Sequence, residues 1–288
     1  VETLDACVMS IAQKATYANY EIVLVENNSE DPETFAYYET LPERVAAASE
    51  GRGIARVVYW PGEFNYSQII NFGVEHAKGD YLLLLNNDTE VISPRWIEEM
   101  LMYAQQDRVG CVGAKLLYPD DTIQHAGVGF GIGGVAGHLH KYYPASSDGY
   151  MGRLNYVQDV YADTAACLLI RKEIYDEVGG LDEAFAVAFN DVDFCLRVRD
   201  AGYRIAWTPY AQLTHYESKS RGGDEKDPVK ARRFAAEQQR LYDIHGKADI
   251  LDDPYYNPSL TRDREDFSES GDLRNLKEGK VTVRWRNA

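Results

Sequence analysis

The sequence predicts an α/β protein built on a mainly parallel sheet with helices on both faces. Three observations carry that expectation. Helix-like and strand-like periodicities alternate through residues 1–118. The strands are short and apolar throughout, as in a sheet covered on both sides. Two of them end in amides and acids, at the strand ends where open α/β sheets bind ligands. With 288 residues and 45% hydrophobic content, the chain has material for a large core.

Leu4, Cys7, Val8, Ile11, Ala12 and Ala15 fall on one helical face. "YEIVLV" is the next strand and "ENNSED" its turn. A helix is expected over 32–41, then a strand at "GIARVVYW". Tyr66, Ile69, Ile70, Gly73, Val74 and Ala77 mark a further amphipathic helix, and "GDYLLLLN" a strand. Ser93-Pro94 reads as an N-cap followed by proline at the first helical position, with Ile97, Met100, Leu101 and Ala104 as the buried stripe. "VGCVGAKLLY" is the next strand. Residues 119–162 are rich in Gly, His and Tyr, and irregular strands with a mobile loop are expected there. "TAACLLIRKE" is a strand, "NDVDFCLRVRDAGY" a helix, and "RIAWTP" and "AQLTHYES" two separate strands. A polar helix follows over 228–245. The last forty or so residues read as a surface-wrapping or partly disordered tail.

The formal net charge of −16 is the wrong sign for tracking a nucleic-acid backbone, and it argues against adhesion to anionic lipid. A phosphate-bearing ligand remains compatible if a cation reverses the local sign. Cys7, Cys111, Cys167 and Cys195 form no C-x-x-C pair and sit in apolar stretches, so they are expected as buried thiols in a reducing compartment. No apolar run reaches about 18 residues, so no membrane span is expected. No leader is recognisable, although the chain begins inside an element.

Four stretches carry candidate chemistry. "YLLLLNNDTEV" delivers Asp88 to a strand end, where a carboxylate suits Mg²⁺ or Mn²⁺ bridged to phosphates; ordinary turn chemistry competes. In "VENNSED", Glu26 is placed to accept from a base N–H, with Asn27 and Asn28 around the nucleotide; a plain turn competes again. In "AFNDVDFCLR", Asp191 opens a helix whose dipole keeps a carboxylate ionised and able to take a proton from a hydroxyl. A simple cap competes, and so does Asp193. In "LTHYESKSRG", His215 ends a strand, and Lys219 and Arg221 follow on a glycine-flanked loop suited to closing over phosphates; a structural histidine competes. His138 and His140 read as a metal pair or, in preference, as part of an acceptor lid. Tyr142, Tyr143, Tyr150, Tyr156 and Tyr161 offer rings for sugars to stack on, or are half-buried loop tyrosines.

In this order and spacing, "TLDACVMSIAQKATYANYEIVLVENNSED", "NFGVEHAKGDYLLLLNNDTEV" and "VGGLDEAFAVAFNDVDFCLRVRDAGYRI" resemble the family 2 glycosyltransferases, inverting enzymes of the GT-A fold. The resemblance runs from Thr3 to about Arg221 and is nearest to bacterial enzymes of O-antigen or other surface polysaccharide. It implies a Rossmann-like, mostly parallel central sheet with a smaller acceptor-side mixed sheet. The implied domain covers 1–245, with a nucleotide-sugar half over 1–118, an acceptor and catalytic half over 119–245, and an extension over 246–288. It implies transfer of a sugar from a UDP- or dTDP-linked donor to a hydroxyl of a saccharide or lipid-linked acceptor, with Mn²⁺ or Mg²⁺. The implied location is cytoplasmic, with association with the inner membrane face or with further domains left open.

Asn86, Asn87 and Asp88 then occupy the family's D-x-D place, with Asp88 as metal ligand. Asp191 matches the acid of its E-D pair, the general base, and Asn190 stands where the family has Glu. His215 matches a second metal ligand, and Glu26 stands where an Asp reads uracil. Asn71, Lys219 and Arg221 are expected on the nucleotide side, and Asp163, Asn190 and Trp207 on the acceptor side. The family's first strand should precede Thr3, so the sheet is expected to lack it, in a truncated chain or one whose beginning lies upstream. The altered D-x-D and E-D pairs keep two alternatives open: a catalytically degenerate nucleotide-sugar-binding module and a metal-assisted hydrolase of nucleotide sugars.

Overall fold

The computed structural model describes residues 1–217 and 227–270. Helix α1 (Glu2–Lys14) buries Cys7, Val8, Ile11 and Ala12 from the predicted stripe. Strand β1 (Tyr20–Glu26) pairs in parallel with β2 (Gly53–Tyr59). Between them runs α2 (Pro32–Ala48), where Asp31 caps the Glu33 N–H and Pro32 sits in the first turn. It continues through Pro42 past its expected end, because Leu41 and Val45 are both buried in one cluster with Val8 and Ala12 of α1. Helix α3 (Tyr66–His76) is capped by Asn65, whose side chain accepts from the Gln68 N–H at 3.1 Å.

The remaining strands are β3 (Tyr81–Leu85), β4 (Thr89–Val91), β5 (Val109–Leu117), β6 (Ile123–His125), β7 (Val128–Phe130), β8 (Ala136–His138), β9 (Gln158–Val160), β10 (Cys167–Arg171) and β11 (Arg204–His215). The helices are α4 (Trp96–Ala104), α5 (Lys172–Glu177), α6 (Asn190–Asp200), α7 (Pro228–His245) and α8 (Lys247–Ile250). Seven strands form the main sheet in the order β3-β10-β5-β11-β4, with β6 on β5 and β9 on β11. This sheet is mixed rather than mostly parallel. β3, β5 and β11 run in one sense, but β10 lies antiparallel between β3 and β5. Apolar composition announces a strand covered on both faces and is silent about its direction. The β1–β2 pair stands apart from this sheet, and Val23, Leu24 and Val25 of β1 are only half covered.

Other expectations change in the structure. Ser93 does not cap α4. Its hydroxyl accepts from the Gln212 N–H at 2.8 Å, and the helix starts at Trp96. "RIAWTP" and "AQLTHYES" are one strand, β11, with a register shift between Thr208 and Gln212 where Pro209 and its neighbours leave the ladder. The middle segment is packed rather than loose: residues 123–132 are all buried. The described part of the tail anchors there through Tyr256, Leu260 and Phe267 against Ile132 and Leu139. Asp253 accepts from the Phe130 N–H at 2.9 Å. No helix among the described residues is long and apolar enough to cross a membrane.

Trp207 lies in the core on β11 with its Nε1–H on the Ala114 carbonyl at 3.1 Å, so it is not an acceptor surface. The glycine at 113 on β5 makes room for a buried carboxyl, because a Cβ there would lie 1.9 Å from Cγ of Asp163. Gly113→Ala should therefore destabilise the fold by at least the ~1–3 kcal/mol typical of core overpacking, read as a lowered Tm in thermal unfolding.

Candidate active site

A cleft of about 1640 Å³ lies at the carboxyl ends of β1 and β3 and is lined along β1 from Val23 to Glu26. Glu26, Asn27, Asn86, Asn87, Asp88, Asn190, Asp191 and His215 all line it. Residues scattered over the chain thus meet in one place.

The Asp88 and His215 side chains approach to 3.1 Å, Oδ1 to Nε2. His215 Nδ1 lies 2.6 Å from the Gln124 side-chain carbonyl oxygen, which only accepts, so Nδ1 carries the proton. In the neutral ring Nε2 then carries the lone pair, with the Asn86 amide nitrogen 3.3 Å away as a donor to it. Two electron-pair donors face one another, an arrangement that a cation relieves. Their separation matches roughly 3 Å, the edge of an octahedron with ~2.1 Å metal–ligand bonds. The backbone fixes the pair, since the Tyr216 N–H donates to the Asp88 carbonyl at 2.9 Å. No group of three His, Cys, Asp or Glu among the described residues is placed to hold a metal. The donor set fits a hard divalent ion held by two protein atoms and completed by ligand oxygens.

Asp191 sits in the first turn of α6, after Phe189 turns the chain at a φ of 61°. One carboxylate oxygen accepts from the Val192 N–H at 2.8 Å and the other from the Ala165 N–H at 3.2 Å. Burial raises its pKa above the ordinary value, although these bonds and the Thr164 hydroxyl pull the other way. A half-buried carboxylate of raised basicity facing a cleft is equipped to accept a proton. Asp193 is excluded from that role. It is 1% exposed, paired with Arg197 at 2.8 Å and with His245 at 2.8 Å.

A model of glycosyl transferase family 2 matches residues 1–179. The chain belongs to this family. It is 45% identical over 271 residues to uncharacterized protein y4gI of Sinorhizobium fredii and 36% identical over 262 residues to the O-antigen biosynthesis protein RfbC of Myxococcus xanthus. These matches cover 93% and 90% of this chain but 28% and 19% of the relatives, so the chain spans less than a third of their length. Among solved structures it is similar to GalNAc-T7, crystallised with UDP, GalNAc and Mn²⁺, with a TM-score of 0.62 at 18% identity over 96% of this chain and 51% of that one. It is also similar to TarS of S. aureus, with a TM-score of 0.53 at 13% identity over 84% and 41% of the two chains. At such identities the likeness speaks for the fold, a GT-A fold.

Against the family pattern, several expected site residues serve the scaffold. Asn71 does not line the cleft. Its amide accepts from the Tyr175 hydroxyl at 2.6 Å and donates to the Leu181 carbonyl at 3.0 Å, tying α3 to the loop before α6. Glu26 borders the cleft, but its carboxylate braces its own loop: it accepts from Ser29 N–H and Tyr38 hydroxyl, both at 2.5 Å, and from the Ser29 hydroxyl. Burial alone would raise its pKa; the Tyr38 and Ser29 bonds outweigh it and lower it. Asn27 and Asn28 both donate to the Gly62 carbonyl at 2.9 Å. Asp163 lies beneath the cleft, fully buried, and Asn190 lines it while donating to the Val187 carbonyl at 3.1 Å. Lys219 and Arg221 lie outside the described residues.

His138 and His140 are not a metal pair. His138 lines the cleft, whereas His140 stacks on Phe267 at 4.4 Å and accepts from the Tyr150 N–H. Of the five tyrosines, Tyr142 alone borders the cleft, stacked on Tyr118 at 5.5 Å. All four cysteines are buried and free. Gln124, which orients His215, went unrecognised in the sequence. Its signal is a polar pair, Gln124-His125, inside the apolar run "TIQHAGVGF".

Proposed function

We propose that this chain is the catalytic domain of an inverting glycosyltransferase that moves a sugar from a nucleoside diphosphate donor to a hydroxyl of a saccharide or lipid-linked acceptor in surface-polysaccharide synthesis. The observation that carries the reading is the convergence of the Asp88–His215 pair and Asp191 on one cleft at the strand ends. Asp88 and His215 would hold a divalent cation, which when bound supplies charge stabilisation to the departing diphosphate. Asp191 accepts the proton of the attacking hydroxyl as its oxygen bonds to the anomeric carbon and the diphosphate leaves from the opposite face. One base and one displacement give inversion. The likeness to GalNAc-T7, whose crystals held UDP and Mn²⁺, and the relation to RfbC support the donor class and the polysaccharide setting.

The test is thermal unfolding with UDP and dTDP, each with and without Mn²⁺. Stabilisation that needs both nucleotide and metal is expected, since a ligand at 100 times its Kd adds about 2.7 kcal/mol. Product analysis with UDP- and dTDP-sugars then separates transfer, which yields a glycoside, from hydrolysis, which yields free sugar. Absence of both stabilisation and product with every donor removes the reading.

A further inference from the structure

Beneath the cleft runs a chain of three side chains that the proposed displacement does not use. His125 on β6 is wholly buried, with Nε2 2.5 Å from Oδ1 of Asp163 and Nδ1 2.7 Å from Nδ1 of His138. His138, on β8, lines the cleft. The two Nδ1 atoms are close enough that one must carry a proton and the other a lone pair, so the rings hold opposite tautomers. The Gly127 N–H points at His125 Nε2 from 3.2 Å, which makes Nε2 an acceptor. Its partner Asp163 must then be the donor, a neutral carboxylic acid. Oδ2 of Asp163 is buried with no hydrogen-bond partner, which an anion would not tolerate. Its Oδ1 also accepts from the Thr164 N–H at 2.9 Å, as a hydroxyl oxygen can. The proton of His125 is therefore on Nδ1, directed at His138, and the proton of His138 is on Nε2.

We propose that Asp163, His125 and His138 form a relay that fixes His138 as an Nε2–H donor, holding an oxygen of the acceptor sugar in the cleft. What the donor holds rests on the glycosyl-transfer reading; the tautomers do not. Burial agrees with neutral groups, since it pushes His125 down to about 3 and Asp163 well above the ordinary carboxylate value. His138 enters the cleft from β8, a segment distinct from the amide-rich loops that end β1 and β3, which gives it to the acceptor rather than the nucleotide; Gln124 of the nearby β6 reaches the Asp88–His215 pair, so the donor KM is the control. Thr164 and Ala165 link the two systems, the Thr164 N–H on Asp163 Oδ1 and the Ala165 N–H on Asp191 Oδ2. The charged and titratable groups facing the relay are Asp191 and His215 towards His125, and Lys141, Glu217 and His215 towards His138. His138 would touch substrate; His125 and Asp163 are positioning residues.

The test is nitrogen-15 NMR of the imidazoles in the intact chain, with kinetics alongside. The parent should show His138 protonated at Nε2 alone. In Asp163→Asn an amide nitrogen cannot accept from Thr164, so the amide oxygen takes the Oδ1 place and His125 must donate to it. The relay then reverses, and His138 should switch to the Nδ1–H form. With UDP- or dTDP-sugars as donors and p-nitrophenyl glycosides as acceptor probes, the acceptor KM should rise about tenfold, the worth of one hydrogen bond, while the donor KM holds. His138→Leu should do the same. His138→Gln keeps an acceptor towards His125 and a donor towards the cleft, and should restore the KM. A cationic or Nδ1-protonated His138 in the parent overturns the proposal, as does a reversed tautomer with an unchanged acceptor KM. Absence of turnover with every donor overturns the sugar-transfer reading instead, and the nitrogen spectra still decide the relay.

Discussion

Asp191→Asn should lower transfer by about 10²–10⁴-fold, the usual worth of a positioned general base, while nucleotide binding measured by calorimetry stays near the parent value. Asparagine matches the shape of Asp191 and still accepts from the Ala165 or Val192 N–H, so the α6 terminus keeps its geometry. Proton acceptance is lost, together with one of the two backbone bonds. The pH profile gives an independent check. Burial raises the Asp191 pKa, so the base form disappears as pH falls through that raised value. The acid limb of kcat/KM should therefore lie above the ordinary carboxylate range, and the residual activity of the variant should lack it. Asp193→Asn should behave in the opposite way. It breaks a buried network with Arg197 and His245, so Tm falls while the acid limb remains. Unchanged transfer in Asp191→Asn would remove that residue from the role.

These two aspartates show what the sequence discloses and what it withholds. Both stand in the first turn of the same helix, and spacing alone left them in competition. The difference is angular: at that turn one side chain faces the cleft and the other faces α7, where His245 waits fifty-two positions away in sequence. Local periodicity found the helices because a buried stripe repeats within one element. Strand direction was hidden because the apolar run of β10 reads the same either way. The amide-rich turns drew attention to Asp88 and Glu26 alike, yet only distant partners separate their tasks. Tyr38, twelve residues on, occupies Glu26, whereas His215 meets Asp88 from another strand. Gln124 and His125 stayed unread for a related reason. A polar pair inside an apolar run announces buried hydrogen bonds but not whether their far ends reach a cleft.

Asp88→Ala should abolish the Mn²⁺-dependent share of nucleoside diphosphate binding. In the proposed site two side-chain donors would hold the ion, so removing one would leave the imidazole alone and the ligand phosphates without their bridge. Gln124→Ala supplies the graded case. Gln124 touches no ion, but its side-chain oxygen fixes the His215 tautomer that leaves Nε2 bare. Loss of such a supporting bond typically costs metal affinity about 10–100-fold, and Asp88→Ala should exceed that. Titrating Mn²⁺ against each variant in the presence of UDP measures both effects. The ranking separates a coordinating pair from a simple ion pair between Asp88 and His215. In a simple ion pair, Gln124→Ala would alter stability and leave the metal dependence of binding untouched. If the parent binds nucleotide equally well without divalent ions, the pair is not a metal site, and the departing diphosphate must be stabilised by other groups.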